Sequence, residues 1–381
     1  RKYSQRKISQ RKYSQCKMKN PFKFGTVVDD PFFINRKKEI ARVTSFLSGE
    51  NHLVLISPRR MGKSSLIRKA VSLLDRPVIA LDMQLMTSPA DLAAQMLRRI
   101  YRLYPQARLK QHLKGFRVIP QLSLNPVTGG IDVSFMPGVS SLPILEDVLN
   151  LAEKLSTEKK KLIVVFDEFQ EARRLDENLL NQLRAIMQNH KMINYVFLGS
   201  QESLIREVFQ KKKSPFYHFA MVMHLEKIDA GEFTEFLKSG FTGIHGEPGI
   251  VAGEVLSVTH GHPYYTQQLA FTAWEVMVSG RGHSASVIDD AVRELIMMHD
   301  MDYERIWLGF NSTDRKVLLG LSMSEQQPLT IDFMRKWDLN ASSTVFSSLR
   351  RLMTGGYVVK TDKYELDDPF FSRWIRERRE R

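Results

Sequence analysis

Nine residues, SPRRMGKSS at positions 57–65, constrain this chain more than any others. They stand between a short apolar run, residues 52–56, and a stretch at 66–74 that continues as a helix. Strand, tight loop, helix is therefore the expected order. Four further apolar runs of strand length follow, at 78–81, 162–166, 195–198 and 219–225, with helical stretches between them. A strand buried on both faces reads as a continuous apolar run, so this series predicts a parallel sheet covered by helices on either side.

Around that α/β core the patterning changes. Residues 20–28 form an extended lead-in, and 35–47 space Ile40, Val43, Phe46 and Leu47 as one helix face. Between the second and third runs, residues 105–143 alternate around Asn125-Pro-Val-Thr-Gly-Gly, which predicts an inserted two-stranded hairpin. Beyond 226 the pattern is helical at 230–238, 249–259, 263–278 and 285–299. Helices at 312–321, 330–337 and 342–353, then Gly355-Gly356 and short strands at 357–360 and 363–366, describe a winged helix. The expected division is a tail at 1–19, a core at 20–226, a small helical lid at 227–304 and a winged helix at 305–381.

Charge and cysteine usage narrow the class. The formal charge is +14, but residues 1–20 hold eight Lys and Arg and no acid, leaving 48 basic against 42 acidic residues elsewhere. The bulk is thus only mildly basic, which weakens any inference to a polyanionic partner. The tail is a tandem repeat, RKYSQ-RKISQ-RKYSQ, without an apolar face, and is expected to be disordered. Met18 begins MKNPFKFG, which reads as a natural start, so the repeat is expected to be a non-native extension. Cys16, the single cysteine, excludes an intramolecular disulfide and a cysteine-based metal site. No apolar run reaches 18 residues, so a cytoplasmic protein without a membrane span is expected.

The loop has the chemistry that a nucleoside triphosphate requires: backbone N–H groups facing phosphates, a cation and a metal-binding hydroxyl. Ser57, Pro58, Arg59, Arg60, Met61, Gly62, Lys63, Ser64 and Ser65 are the expected cradle. Gly62 permits close approach, Lys63 reaches the β- and γ-phosphates, and Ser64 ligates Mg2+. Ser57 stands where the usual pattern has its first glycine, so the turn must take a conformation open to serine. A Gly-Lys-Ser triplet alone arises by chance in roughly one chain in five of this length. The segment 161–168, KLIVVFDE, is the stronger signal, an apolar strand ending in two carboxylates. Asp167 can enter the magnesium shell while Glu168 reaches the attacking water. After the next strand, Ser200 and Gln201 are candidates for contact with the γ-phosphate or the water.

SPRRMGKSS, VVFDEFQEA at 164–172, LGSQESLI at 198–205 and YELDDPFFSRWI at 364–375 together resemble the archaeal-type P-loop ATPases, a family also common in bacteria. That family lies within the AAA+-like and STAND ATPases, and the resemblance covers the chain from Met18 onward. It implies a P-loop core of five strands, a helical lid and a C-terminal winged helix. It also implies ATP (or ADP) with Mg2+ as ligands. Phe33, Ile34 and Arg36 resemble the stretch that packs against adenine, and His262-Pro263 the motif that brings the lid to the nucleotide. Relatives carry an arginine shortly after a Ser-Pro-Leu-Tyr-like segment, whereas Ser214-Pro-Phe-Tyr217 is followed here by His218 and Phe219; Arg173, Arg174 and Arg206 are alternatives of equal standing. The expected function is hydrolysis of Mg-ATP as a conformational switch, with an ATP-regulated DNA-binding or sensor protein of little turnover as the alternative. A homo-oligomer, an unknown protein partner and non-specific DNA, the last through Arg350, Arg351, Lys360 and Lys363, all stay open as partners.

Overall fold

Apolar runs of this length close on one another only if their backbone donors and acceptors pair, and parallel strands do so when helices fill the crossovers. A computed structural model describes residues 19–28, 30–34, 36–105, 109, 112–124, 131–136, 140–200, 202–244, 246–281, 286–323, 327–360 and 362–379. The N-terminal repeat with Cys16 and Met18, Asn35, the hairpin turn at 125–130 and Gln201 lie outside the described residues. The chain divides into two units, one formed by Arg36–Arg59 and Lys63–Glu226, the other by the N-terminal segment, Arg60–Gly62 and the chain from Lys227 onward.

In chain order the first unit contains α1 (Lys37–Ser48), β1 (Leu53–Ile56), α2 (Lys63–Ser72), β2 (Val78–Asp82), α3 (Pro89–Leu103), β3 (Gln121–Leu124), β4 (Ile131–Ser134) and α4 (Ser141–Leu155). It continues with β5 (Leu162–Asp167), α5 (Ala172–Leu175), α6 (Leu179–Met187), β6 (Ile193–Gly199), α7 (Glu202–Phe209) and β7 (Met221–His224). Five of these strands make one parallel sheet in the order β2-β5-β6-β1-β7. Every residue of β1 and β6 is buried, as is every residue of β5 except Asp167. The last strand is shorter than the apolar run at 219–225 predicts, because Phe219 turns out of the sheet to lie against the His52 ring, 4.5 Å away.

The inserted hairpin is antiparallel, with Leu122 opposite Val133. Val133 is buried in the same core as α3, and Arg98 of that helix pairs with Asp132 at 2.9 Å. Helix α3 itself starts where Ser88 accepts from the Asp91 N–H and Pro89 occupies the first turn, where its missing donor costs nothing.

The second unit holds α8 (Ala230–Phe241), α9 (Pro248–Thr259), α10 (Pro263–Ser279), α11 (Val287–Gly309), α12 (Ser312–Met323), α13 (Ile331–Lys336) and α14 (Ser342–Thr354). The hairpin β8 (Val358–Lys360) and β9 (Tyr364–Leu366) and the helix α15 (Pro369–Arg379) complete it. Two features depart from the sequence reading. Helix α11 continues ten residues past the expected end at 299, and one apolar core runs from α8 through α15. The terminal helix α15 was absent from the expectation; it buries Trp374, whose indole N–H donates to Asp300 Oδ1 at 2.7 Å.

Residues 20–34, which the sequence reading assigns to the sheet-bearing core, instead belong to this helical unit. Phe22 is buried against Phe236 and Phe241, in space left by Gly240, where a Cβ would come within 2.4 Å of the Phe22 ring. Asn20 donates to Phe271 O and Glu275, and Gln267 accepts from the Lys23 N–H while donating to Phe32 O. An extended segment has no hydrogen bonds of its own, so the helix that satisfies it determines where it lies.

At the N-terminal ends of the strands, polar groups close the sheet. Asn194, 1% exposed, donates to Gly49 O and Asn51 O, and Arg76 donates to Lys161 O, Leu47 O and the Asn194 side chain. Beside them His190 bonds the Tyr195 hydroxyl at 2.6 Å and Asn150 at 3.0 Å, while the His52 Nδ1 accepts from the Tyr195 N–H at 3.2 Å. Burial, reinforced by Arg184 and His190, lowers the His52 pKa to about 4. A histidine with a depressed folded pKa contributes stability that is present above its unfolded value near 6.5 and lost as pH falls toward 4. The loss amounts to about 3 kcal/mol at most, at 1.36 kcal/mol per pKa unit. Chemical denaturation at pH 7 and pH 4.5 is expected to show a drop in midpoint that His52→Gln, which keeps an acceptor but does not titrate, substantially reduces.

Candidate active site

In a parallel sheet all the strand ends that carry loops to one side lie together, and the register here aligns them closely. Ile56 at the end of β1 sits beside Gly199 at the end of β6, and Asp167 at the end of β5 pairs with Asp82. Ser57 leaves β1 buried, its N–H directed at Gly199 O. Positive φ falls at Arg60 (63°) and Gly62 (85°) in this loop and not at Ser57, so serine is accommodated in the first-glycine position without strain. Lys63 then opens α2, whose first N–H groups have no helical partner.

The Lys63 ammonium is 6% exposed and donates to Ser57 O at 3.0 Å, Ser57 Oγ at 3.3 Å and Pro58 O at 2.9 Å. A buried cation is thus held on the loop by acceptors that a phosphate oxygen can replace. Next to it, Ser64 Oγ donates to Asp167 Oδ2 at 2.7 Å. Burial raises the Asp167 carboxyl above its ordinary value and the Glu168 charge adds to the rise, against the Ser64 hydrogen bond. A hydroxyl and a carboxylate at this separation are hard oxygen donors that fit Mg2+, which takes few protein ligands and completes its shell from phosphate and water. Among the described residues no cluster of three or more His, Cys, Asp or Glu is placed to hold a metal ion.

Glu168 adopts a left-handed conformation (φ 51°, ψ 46°) that ends β5 abruptly and turns the chain into a short 3-10 segment, Phe169–Glu171. Its Oε2 accepts from Ser200 Oγ at 2.7 Å, from the Ser200 N–H at 3.3 Å and from Gln170 Nε2 at 2.5 Å. Ser200, predicted to face the γ-phosphate or the water, therefore bonds the carboxylate expected to act on that water. Gln170 had no assigned role in the sequence. Its position two residues beyond a carboxylate pair was the available signal, but its direction depends on the turn.

The structure brings Ser57, Pro58, Lys63, Ser64, Asp167, Glu168 and Ser200 together; Ser65 is buried one residue further along α2, and Arg59 is exposed. Arg36, 3% exposed, donates to Glu39 at 3.0 Å and to Glu226 O at 3.0 Å, where the chain enters and leaves this unit. Phe33 and Ile34 lie in the helical unit, and Ile34 is part of its core. Of the alternative arginines, Arg173 pairs with Glu207 and Arg174 with Glu171. His218 has φ 57° and stacks on Tyr217, ring centroids 3.9 Å apart.

Arg60, Met61 and Gly62 group with the helical unit, where the Arg60 guanidinium lies 4.4 Å from the Tyr264 ring centroid. His262, 4% exposed, precedes Pro263 at the start of α10; its Nε2 is 3.8 Å from Asp367 Oδ1 and its ring packs on Tyr265. Asp367 belongs to the quoted ending, yet no function was read from it. Burial raises its pKa to about 7, with Asp368 adding and Arg60 and Lys227 opposing.

Comparison with known proteins bears on the family and the fold. The family described as an ATPase domain predominantly from Archaea matches residues 33–269, and a probable winged helix domain matches 301–377. The fold is similar to the Walker-type ATPase of Pyrococcus abyssi, with 18% identity, 93% of this chain and 99% of that chain covered, and a TM-score of 0.66. It is also similar to the ORC2 protein of Aeropyrum pernix solved in ADPNP–ADP complexes, with 16% identity, 93% and 96% coverage, and a TM-score of 0.52. No curated protein matches the chain.

A carboxyl whose folded pKa is raised contributes stability that is complete below its unfolded value, 3.8, and is lost as pH rises through 7. Asp367→Asn, which keeps the shape and removes the charge, is therefore expected to raise the thermal midpoint at pH 8, by up to a few kcal/mol in stability, and to change it little at pH 4. Differential scanning fluorimetry of the two proteins at both pH values checks this.

Proposed function

The chain belongs to the family of ATPase domains predominantly from Archaea, and from that premise we propose that it binds Mg-ATP on residues 57–65 and hydrolyses it through Glu168. The observation that carries the reading is the convergence of Lys63, the Ser64–Asp167 pair and Glu168 at the ends of β1 and β5. Backbone N–H groups of the loop and of the first turn of α2 face the phosphates, where the helix N-terminus favours negative charge. Lys63 exchanges its carbonyl acceptors for β- and γ-phosphate oxygens. Ser64 and Asp167 would hold Mg2+, which would supply neutralisation of phosphate charge. Glu168 orients a water for in-line attack and takes its proton, and the products are ADP and phosphate. Binding and hydrolysis alternate the chain between conformations, so that the protein works as a switch.

Steady-state ATP hydrolysis and binding of a fluorescent ATP analogue separate the steps. Lys63→Ala is expected to weaken ATP binding by about 100-fold, since it removes a buried cation aimed at the phosphates. Glu168→Gln is expected to leave affinity within about twofold and lower turnover by about 100-fold or more. Wild-type turnover no faster than that of either variant sinks the hydrolysis reading and leaves binding to be judged from the analogue.

For the second partner, the winged helix offers little to a DNA duplex. The exposed face of α14 presents Ser343, Phe346, Ser347, Arg350 and Met353, and its first turn has no Arg, Lys or Gln for a bidentate contact with a base edge. Arg351 is held by the buried Asp314 at 2.8 Å, which neutralises one of the four cations proposed for phosphate contact. The expected outcome of a mobility-shift assay at low salt is no shift of duplex DNA; a salt-sensitive shift overturns this.

A further inference from the structure

We propose that Gln170 is a positioning residue for hydrolysis: its side-chain amide holds the Glu168 carboxylate by Oε2, leaving Oε1 as the oxygen presented to the attacking water. The proposal rests on the reading of Glu168 as the group that acts on that water.

On a regular strand, residues 168 and 170 point the same way and stand well apart. Here the left-handed backbone at Glu168 and the 3-10 turn that follows bring the Gln170 side chain back onto its neighbour, with Nε2 2.5 Å from Oε2. The turn is anchored by Phe169, fully buried with ring centroids 4.5 Å from Phe197, 5.3 Å from Phe216 and 5.8 Å from Phe209. Gln170 is itself only 5% exposed, and Gly199 backs it closely: a Cβ there would sit 3.0 Å from Gln170 Oε1 and 2.9 Å from Ile205. The amide has one workable orientation, because a flip would set its carbonyl oxygen against the carboxylate.

Two residues thus supply donors to a single carboxylate oxygen, and they differ in freedom. The Ser200 hydroxyl rotates about one bond and can take another partner, such as a phosphate oxygen. Gln170 is confined by Gly199 and by the turn, so it keeps its grip while Ser200 changes partner. Among the described residues no donor reaches Glu168 Oε1. A glutamate free in solution samples many rotamers, and fixing one before the water arrives lowers the entropic part of the barrier.

The test uses the full chain. Gln170→Met keeps the volume and removes the donor. Its kcat is expected to fall roughly 10- to 100-fold, with KM for ATP and analogue affinity within about twofold of wild type. In a Glu168→Gln background the same change is expected to cost nothing further, because the group it positions is gone; a merely structural loss would repeat there. A kcat within twofold of wild type, or an equal fall in both backgrounds, overturns the proposal. Should Gln170→Met fail to fold, Gln170→Asn, whose amide is one methylene farther from Glu168, is judged by the same criteria. Wild-type turnover in Glu168→Gln alone defeats the reading of Glu168 instead, which distinguishes the two failures.

Discussion

Strands β1, β5 and β6 are buried on both faces, so their polar chemistry can appear only where the sheet ends. Parallel register then decides what meets at that end. With Ile56 beside Gly199 and Phe166 beside Phe197, the loop after β1, the carboxylates after β5 and Ser200 after β6 emerge side by side. A shift of one strand by a single residue would turn Asp167 away from Ser64, and the 2.7 Å hydrogen bond between them could not form. The site is therefore a consequence of sheet register before it is a consequence of any one side chain.

The opposite end of the same sheet uses its polar groups differently. Asn194, Arg76, His190 and Tyr195 satisfy one another and the strand-end carbonyls. There the buried groups are paired, as burial of polar atoms demands. At the C-terminal end the pairings include exchangeable ones: Lys63 rests on carbonyls and Ser200 on a carboxylate, each of which a phosphate can replace. Gln170 is the exception in that set, since Gly199 and the buried Phe169 leave its amide one position.

The helical unit follows another logic. One core runs through the helices beyond residue 227 and the winged helix, joined by the 23-residue α11. Within it Asp367 and Asp368 lie half-buried beside Tyr265, Tyr303 and His262, and desolvation raises the pKa of both carboxyls. Asp368 has a structural use there, its Oδ1 accepting from the Phe370 and Phe371 N–H groups at the start of α15 and its Oδ2 from the Tyr303 hydroxyl.

The strands, the loop at 57–65, the carboxylate pair and the winged-helix pattern were legible in the sequence because each is written in local periodicity: apolar runs, a Gly-Lys-Ser turn at a helix start, Asp167-Glu168 at a strand end. What lies beyond local periodicity was not legible. Residues 20–34 have no pattern that names the helix they pair with; the fit of Phe22 beside Gly240 and the hydrogen bonds of Asn20 and Gln267 assign them to the helical unit. The family resemblance implies a nucleotide contact for Arg36, and no local pattern foretold that Glu39 and the Glu226 carbonyl accept from its guanidinium. The sequence by itself singled out the loop at 57–65 and the carboxylates Asp167 and Glu168 as candidates for binding and cleaving a nucleoside triphosphate. The tertiary structure alone decided that Ser200 and Gln170 both hold Glu168, because that contact needs β6 in register with β5 and a left-handed turn at Glu168, and neither is encoded in the spacing of residues along the chain.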